Sequence, residues 1–255
     1  MNPRIDSWHG KRVWVIGAST GIGAQTARLL LAEGAQVMLS ARRADELEKV
    51  AAGHAQARIC TLDITEHATV LAARDALLSA WGGIDLVLVV AGSHNEMRAD
   101  DFDLASAKRL VEINLTGVLH CLDAVLPTLL AQGQGGIGIV SSVAGYSGLP
   151  KALIYGPTKA ALINLAESLF LDLRPRGIAV YLINPGFVDT PLTAGNDFPM
   201  PGLMSAADAA QEIVTGIVRG DFHIHFPHRF TNWLRIARLL PYRVYFWLIH
   251  KVTGL

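Results

Sequence analysis

Short, unbroken apolar runs recur along this chain, separated by longer stretches in which apolar residues return every three or four positions. VWVI, LVLVV, IGIV and AVYLI are the clearest runs. A run of that length without polar alternation suits a strand covered on both faces. The pattern predicts strands over 12–16, 36–40, 58–62, 86–90, 137–141, 179–183 and 222–226. It predicts helices over 22–33, 65–80, 104–130, 153–173 and 206–219. Strands that alternate with helices imply right-handed crossovers and a parallel sheet. The expected fold class is therefore α/β, a doubly wound parallel sheet of about seven strands with helices on both faces.

Composition agrees with a large buried sheet. Of 255 residues, 51% are hydrophobic and 17% charged. The formal net charge is zero, so no global field points to nucleic acid. Cys60 and Cys121 are the two cysteines, without metal-like spacing; a reducing, cytoplasmic compartment is the expectation. The first residues, MNPRIDSWHGKRVWVIG, hold no long apolar run, and no signal peptide is expected. No segment reads as the ~20 apolar residues of a spanning helix. Residues 1–225 are expected to form one domain and 226–255 a helical extension. Within the domain, 186–205 is rich in Gly and Pro, as a lid or binding loop would be.

Candidate chemistry begins after the first strand, at Gly17-Ala18-Ser19-Thr20-Gly21-Ile22-Gly23. Glycines there permit a tight turn, and the helix start offers free N–H groups to phosphate. The spacing is GxxxGxG; its place between a strand and a helix gives it weight and makes the fold Rossmann-like. The second strand ends Ser40-Ala41-Arg42-Arg43, with no carboxylate for a ribose 2′-hydroxyl. Guanidinium groups bind phosphate bidentately, so NADP(H) is expected over NAD(H), with Arg42 ahead of Arg43. After the third strand, Asp63 has two open readings: a bond to the adenine amine, or a helix cap.

Tyr155 and Lys159 stand four apart in YGPTK, thirteen residues after Ser142. On a helix they share a face. An ammonium beside a phenol lowers its pKa and makes it a proton donor near neutral pH. Pro157 between them lacks an N–H, which a first helical turn tolerates, so the regular helix is expected to begin close to Tyr155 or to bend there.

Taken together, these motifs resemble the short-chain dehydrogenase/reductase family over roughly residues 10–220. GASTGIG matches its cofactor loop, and VAGSH, with Ala91 and Gly92, its Asn-Ala-Gly motif. VEINLTG carries Asn114, SSVAG carries Ser142, and NPGFVDT supplies Pro185, Gly186, Val188 and Thr190. The resemblance implies hydride transfer between a nicotinamide and a carbonyl or secondary alcohol. It implies Asn114, Ser142, Tyr155 and Lys159 as the catalytic set. Tyr155 would move the proton and Ser142 polarise the carbonyl. Lys159 would lower the tyrosine pKa and hold the ribose, and Asn114 would support a water beside Lys159. Ser19, Thr20, Ile22, Asp63, Ile64, Asn114, Tyr155 and Lys159 join the glycines and arginines on the cofactor side. Family members are often dimers or tetramers.

Ile16 and Val90 depart from the family, which carries polar residues there. They are expected to pack together as a compensated apolar pair. The competing class of function is a non-catalytic nucleotide-binding or membrane-surface scaffold, since a fold alone does not imply chemistry.

The tail conceals a polarity in the net charge. Residues 1–221 carry 17 basic and 22 acidic side chains; from Phe222 onward there are five basic and no acidic ones. The tail is rich in aromatics, and Pro241 is expected to separate two short helices. Such helices can lie in a membrane interface but are too short to span it. The alternative is that the tail caps the cleft or meets another subunit; either reading favours a lipophilic substrate. His223, His225 and His228 have no cysteine near them in sequence, and no metal is expected.

Overall fold

The computed structural model describes residues 1–254. Each apolar run forms a strand: β1 (Arg12–Ile16), β2 (Gln36–Ala41), β3 (Ala57–Thr61), β4 (Leu86–Val89), β5 (Gly135–Val140) and β6 (Ile178–Pro185). Two short strands follow, β7 (Val188–Asp189) and β8 (Met204–Ser205), then β9 (His223–Phe226). Seven strands form one sheet in the order β3-β2-β1-β4-β5-β6-β9, with parallel pairing throughout. The winding direction reverses between β1 and β4. A crevice opens there, beyond the carboxyl ends of the strands.

The helices are α1 (Gly21–Ala32), α2 (Ala44–Ala51), α3 (His67–Trp81), α4 (Leu104–Val111), α5 (Gly117–Gln132), α6 (Tyr155–Leu173), α7 (Ala206–Arg219), α8 (His228–Ala237) and α9 (Tyr242–Thr253). The sequence pattern misses α2, an eight-residue helix whose buried Leu47, Val50 and Ala51 are too few to set a period. It also misses β7 and β8, which pair with each other and close the base of the 186–205 loop.

β1 shows how both faces fill. Val13 and Val15 join one apolar cluster with Leu30, Leu47, Ile213 and Ile217, whereas Trp14 and Ile16 join the other with Leu77, Val125 and Leu162. Burying one such aliphatic side chain stabilises by about 1.5–3 kcal/mol. Trp14 is fully buried, yet its Nε1 donates to Ser40 Oγ at 3.0 Å. The expected Ile16–Val90 pair does not form. Ile16 belongs to one cluster and Val90 packs against the opposite one. The strands are tied there by backbone instead: the Val90 and Ala91 N–H groups both donate to the Ile16 carbonyl, at 2.8 and 2.9 Å.

The expectation that no helix reaches spanning length is also corrected. Leu104–Gln132 is one helix of 29 residues, long and apolar enough to cross a membrane by length and composition. Its Val118, Cys121, Leu122, Val125 and Leu129 pack into the core beneath the sheet. Its path widens by one residue per turn at Glu112–Thr116, a π segment between α4 and α5.

The tail forms the two expected helices, each preceded by proline: Pro227 before α8 and Pro241 before α9. Leu234 and Phe230 join the core, while Ala237, Tyr245 and Ile249 form a small cluster with Leu149. The histidines sit at this seam. His223 Nε2 lies 3.0 Å from the Tyr146 hydroxyl and 2.9 Å from Asn184 Nδ2. Arg235 donates to His225 Nε2 at 3.0 Å, so His225 Nδ1 carries the proton given to Thr231 Oγ1 at 2.7 Å. Burial, with Arg235 nearby, pushes His223 and His225 down to about 4, which keeps both neutral at pH 7.

Candidate active site

The glycine loop is shaped by two constraints. Gly17 adopts φ +95°, and a Cβ there would lie 2.5 Å from the Ala91 nitrogen. A Cβ on Gly23 would run into the Gly17 carbonyl oxygen. The loop is pinned to the sheet by Gly17 and Ala18 N–H groups, which donate to the Ser40 carbonyl at 2.7 and 3.1 Å. Thr20 precedes α1 without a side-chain cap, and the first turn holds no acidic residue. The N-terminal donors of α1 therefore open toward the crevice with no side chain satisfying them.

One cavity of about 450 Å³ runs along the crevice. Its walls include Gly17, Ser19, Thr20, Gly21, Ile22 and Gly23 at the loop, then Arg42, Arg43, Asp63 and Ile64 at one end. Ala91 and Gly92 line the middle, and Ser142, Tyr155, Lys159, Pro185, Gly186, Val188 and Thr190 the other end. Arg42 and Arg43 are exposed, and among the described residues neither forms a salt bridge. The fit to a dinucleotide rests on this chain's own features: free helix donors in the middle, free cations at one end, and a phenol with an amine at the other.

Asp63 is not the helix cap that one reading expected. Its Oδ1 accepts from the Thr65 N–H at 3.0 Å and the Thr65 hydroxyl at 2.8 Å, while Glu66 occupies the cap of α3. Burial opposes its ionisation, but those two bonds and the nearby Arg42 and Arg109 hold its carboxyl below the usual range.

At the far end, α6 begins at Tyr155, as the position of Pro157 requires. Ser142 follows β5 and caps a short turn, its Oγ accepting from the Ala144 N–H at 3.1 Å. Neighbouring Ser141 donates to the Lys159 carbonyl at 2.7 Å, which fastens the β5 end to the first turns of α6. Lys159 is buried; its Nζ donates to the Val140 carbonyl at 3.0 Å and stands 5.7 Å from the centroid of the Tyr155 ring. Burial lowers the Lys159 pKa to about 8. Burial raises that of Tyr155, and the hydrogen bond with Ser142 only partly opposes it. This corrects the expectation that the lysine acidifies the phenol: its Nζ is directed at a carbonyl, and desolvation prevails.

Asn114 alone of the expected residues does not line the cavity. It sits fully buried in the π segment behind the wall. Its Oδ1 accepts from the Ser93 N–H at 2.7 Å, and its Nδ2 donates to the Ser93 carbonyl at 2.9 Å and to Thr158 Oγ1 at 3.3 Å. π turns often mark functional sites, and this one aims Asn114 at the loop after β4 and at α6 together.

His94 and Arg109 are among the residues at the site that escaped the sequence reading. His94 sets its ring edge-on to Tyr155, centroids 4.6 Å apart, and burial depresses its pKa. Arg109 of α4 lines the cavity near Asp63. Neither had a local signal: His94 lies in a loop, and Arg109 is an ordinary basic residue on a helix face.

A crevice at the switch point of a parallel sheet, with a glycine loop after one strand, a serine after another, and a tyrosine and lysine on the first turns of α6, defines a nucleotide-dependent oxidoreductase class. The chain belongs to the short-chain dehydrogenase/reductase family: the short chain dehydrogenase profile matches residues 11–198. It is 38% identical over 232 residues to an uncharacterized oxidoreductase of Myxococcus xanthus, covering 89% of this chain and 91% of that protein. It is 37% identical over 185 residues to a 3-alpha-(or 20-beta)-hydroxysteroid dehydrogenase of Mycobacterium tuberculosis, covering 72% of this chain and 71% of that one. A solved actinorhodin polyketide ketoreductase variant with NADPH shares the fold, with a TM-score of 0.77 at 22% identity over 87% of this chain and 97% of that one. The family uses a nicotinamide cofactor and acts on small molecules.

Proposed function

We propose that this protein is an NADP(H)-dependent oxidoreductase that interconverts a lipophilic ketone or aldehyde and its alcohol. The observation that carries this reading is the single cavity joining Arg42 to Tyr155 past the glycine loop. When bound, the nicotinamide supplies the hydride. The other steps fall to this chain. The N-terminal donors of α1 and the Gly17–Gly23 loop hold the phosphates, and Arg42, with Arg43 second, takes the 2′-phosphate. Ile64, Ala91 and Gly92 line the adenine and ribose walls. Pro185, Gly186, Val188 and Thr190 wall the nicotinamide end.

Ser142 Oγ and the Tyr155 hydroxyl meet the carbonyl oxygen, where charge develops during reduction. Tyr155 delivers the proton to that oxygen, and Lys159, on the same face of α6, would hold the nicotinamide ribose. Asn114 acts from behind by fixing Ser93 against α6. Residues 1–225 form the catalytic domain and 226–255 its extension, in a cytoplasmic homo-oligomer, a dimer or tetramer. Exposed Leu119, Leu130 and Leu171 on α5 and α6 support that assembly.

The lipophilic substrate is supported by the hydroxysteroid dehydrogenase relative and by the apolar tail beside the site. The test is NADPH oxidation followed by absorbance against a panel of carbonyls graded in chain length and ring number. Turnover that rises with apolar size is the expected result; no turnover with any carbonyl, in either direction, rejects the proposal.

A further inference from the structure

The tail turns its apolar residues outward as well as inward. On α8, Thr231, Leu234 and Ala237 are buried while Trp233 and Ile236 are exposed. On α9, Tyr245 and Ile249 are buried, and Phe246 and Trp247 are about 60% exposed. Leu239, between the helices, is 83% exposed. Around Trp247, on the same outward face, stand Arg243 and Lys251, the latter 5.2 Å from the Trp247 ring. Among the described residues, Arg229, Arg238, Arg243 and Lys251 form no salt bridge, and no acidic side chain follows Asp221.

We propose that α8 and α9 are a docking surface for an anionic lipid bilayer, set beside the open end of the cleft. Charge complementarity selects this occupant. Two copies meeting through this face about a two-fold axis would bring cations against cations, with no acidic side chain on α8 or α9 to pair them. A phosphate-bearing lipid surface satisfies the arginines and lysine, while Trp, Phe and Leu enter the headgroup boundary and the basic stems lie along it. Helices of 10 and 12 residues lie on a bilayer rather than cross it.

The placement has a consequence for the site. Among the described residues, none of the tail lines the cavity, so those residues do not cap it. It grips both segments that border the Tyr155 end instead. The Tyr245 hydroxyl donates to the Gly148 carbonyl at 2.8 Å, shortly before Tyr155. Phe230 stacks on Phe187 at 5.5 Å between centroids and approaches Gly186, a cavity residue. Docking thus sets the cleft entrance at the lipid surface, from which an apolar carbonyl or alcohol enters. That last point rests on the oxidoreductase reading; the docking itself does not.

The test is co-sedimentation of the full chain with phosphatidylcholine vesicles and with phosphatidylcholine–phosphatidylglycerol vesicles. Binding is expected only to the anionic vesicles. Arg243→Glu with Lys251→Glu should lower the bound fraction at least about tenfold, as should added salt. Trp247→Ser should weaken binding without changing the salt dependence. Equal binding by wild type and the charge-reversed variant overturns the proposal, as does no binding by wild type. So does a wild-type oligomer that falls apart in Trp247→Ser. Turnover of a water-soluble carbonyl should be unchanged in all variants; wild type that turns over no carbonyl of the panel in either direction, with vesicle binding intact, removes the oxidoreductase reading alone.

Discussion

Lys159 Nζ stands 5.7 Å from the centre of the Tyr155 ring but gives its hydrogen bond to the Val140 carbonyl, at 3.0 Å. The two side chains share a helix face without a hydrogen bond between them. Burial weakens the amine's hold on its proton, and the phenol becomes harder to ionise for the same reason.

Tyr155→Phe removes only the hydroxyl and keeps the ring against His94. Turnover should fall at least about 100-fold, the ordinary share of a positioned proton donor. NADPH affinity, followed by cofactor fluorescence, should change less than about threefold. Retained turnover assigns the proton to another group.

Lys159→Met should uncouple activity from stability. The buried lysine titrates at about 8 when folded against an ordinary 10.5. Between those values the unfolded chain binds more protons, so stability rises with pH through that window. Below pH 8 the folded state carries a desolvated charge at a cost on the order of 3 kcal/mol. The methionine variant should melt higher at pH 7, lack the rise between pH 8 and 10.5, and be inactive. Matched pH–stability curves for the two proteins would contradict the depressed amine.

Arg42→Ala should weaken NADPH binding by about 10–100-fold, the worth of a charge-assisted phosphate contact, and leave NADH within about twofold. Titration of both cofactors checks this. Equal losses would mean that Arg42 does not read the 2′-phosphate.

Gly23→Ala places a methyl against the Gly17 carbonyl, a backbone atom that cannot swing aside. Overpacking of this kind costs about 1–3 kcal/mol, a melting point lower by roughly 2–10 °C. Calorimetry of the variant checks it. Cofactor affinity should fall as well, because the same loop carries the donors. A wild-type melting point would mean that the loop relaxes freely.

Much of the site was legible in the sequence because it is built from local patterns. A glycine cluster between a strand and a helix, two arginines at a strand end, and a Tyr–Lys pair at helical spacing each carry their meaning within a few residues. The helix start at Tyr155 was readable too, because Pro157 is compatible only with an early turn. Ile16 and Val90 were misread. Knowing that two strands are neighbours does not say which face each side chain takes, and one residue of register reverses it. Asn114 was recognised, but not its partners, since Ser93 and Thr158 lie on other elements. His94 came to Tyr155 only through loop closure.

The sequence by itself determined the seven strands, the glycine turn, the cation pair and the charge contrast between body and tail, because each follows from periodicity or composition along the backbone. Tertiary structure decided the direction of the Tyr155 and Lys159 titrations, the position of Asn114 behind the wall, and which tail residues face solvent. Those depend on desolvation and on contacts between residues distant in the chain, and such terms sum over neighbours that no linear window contains.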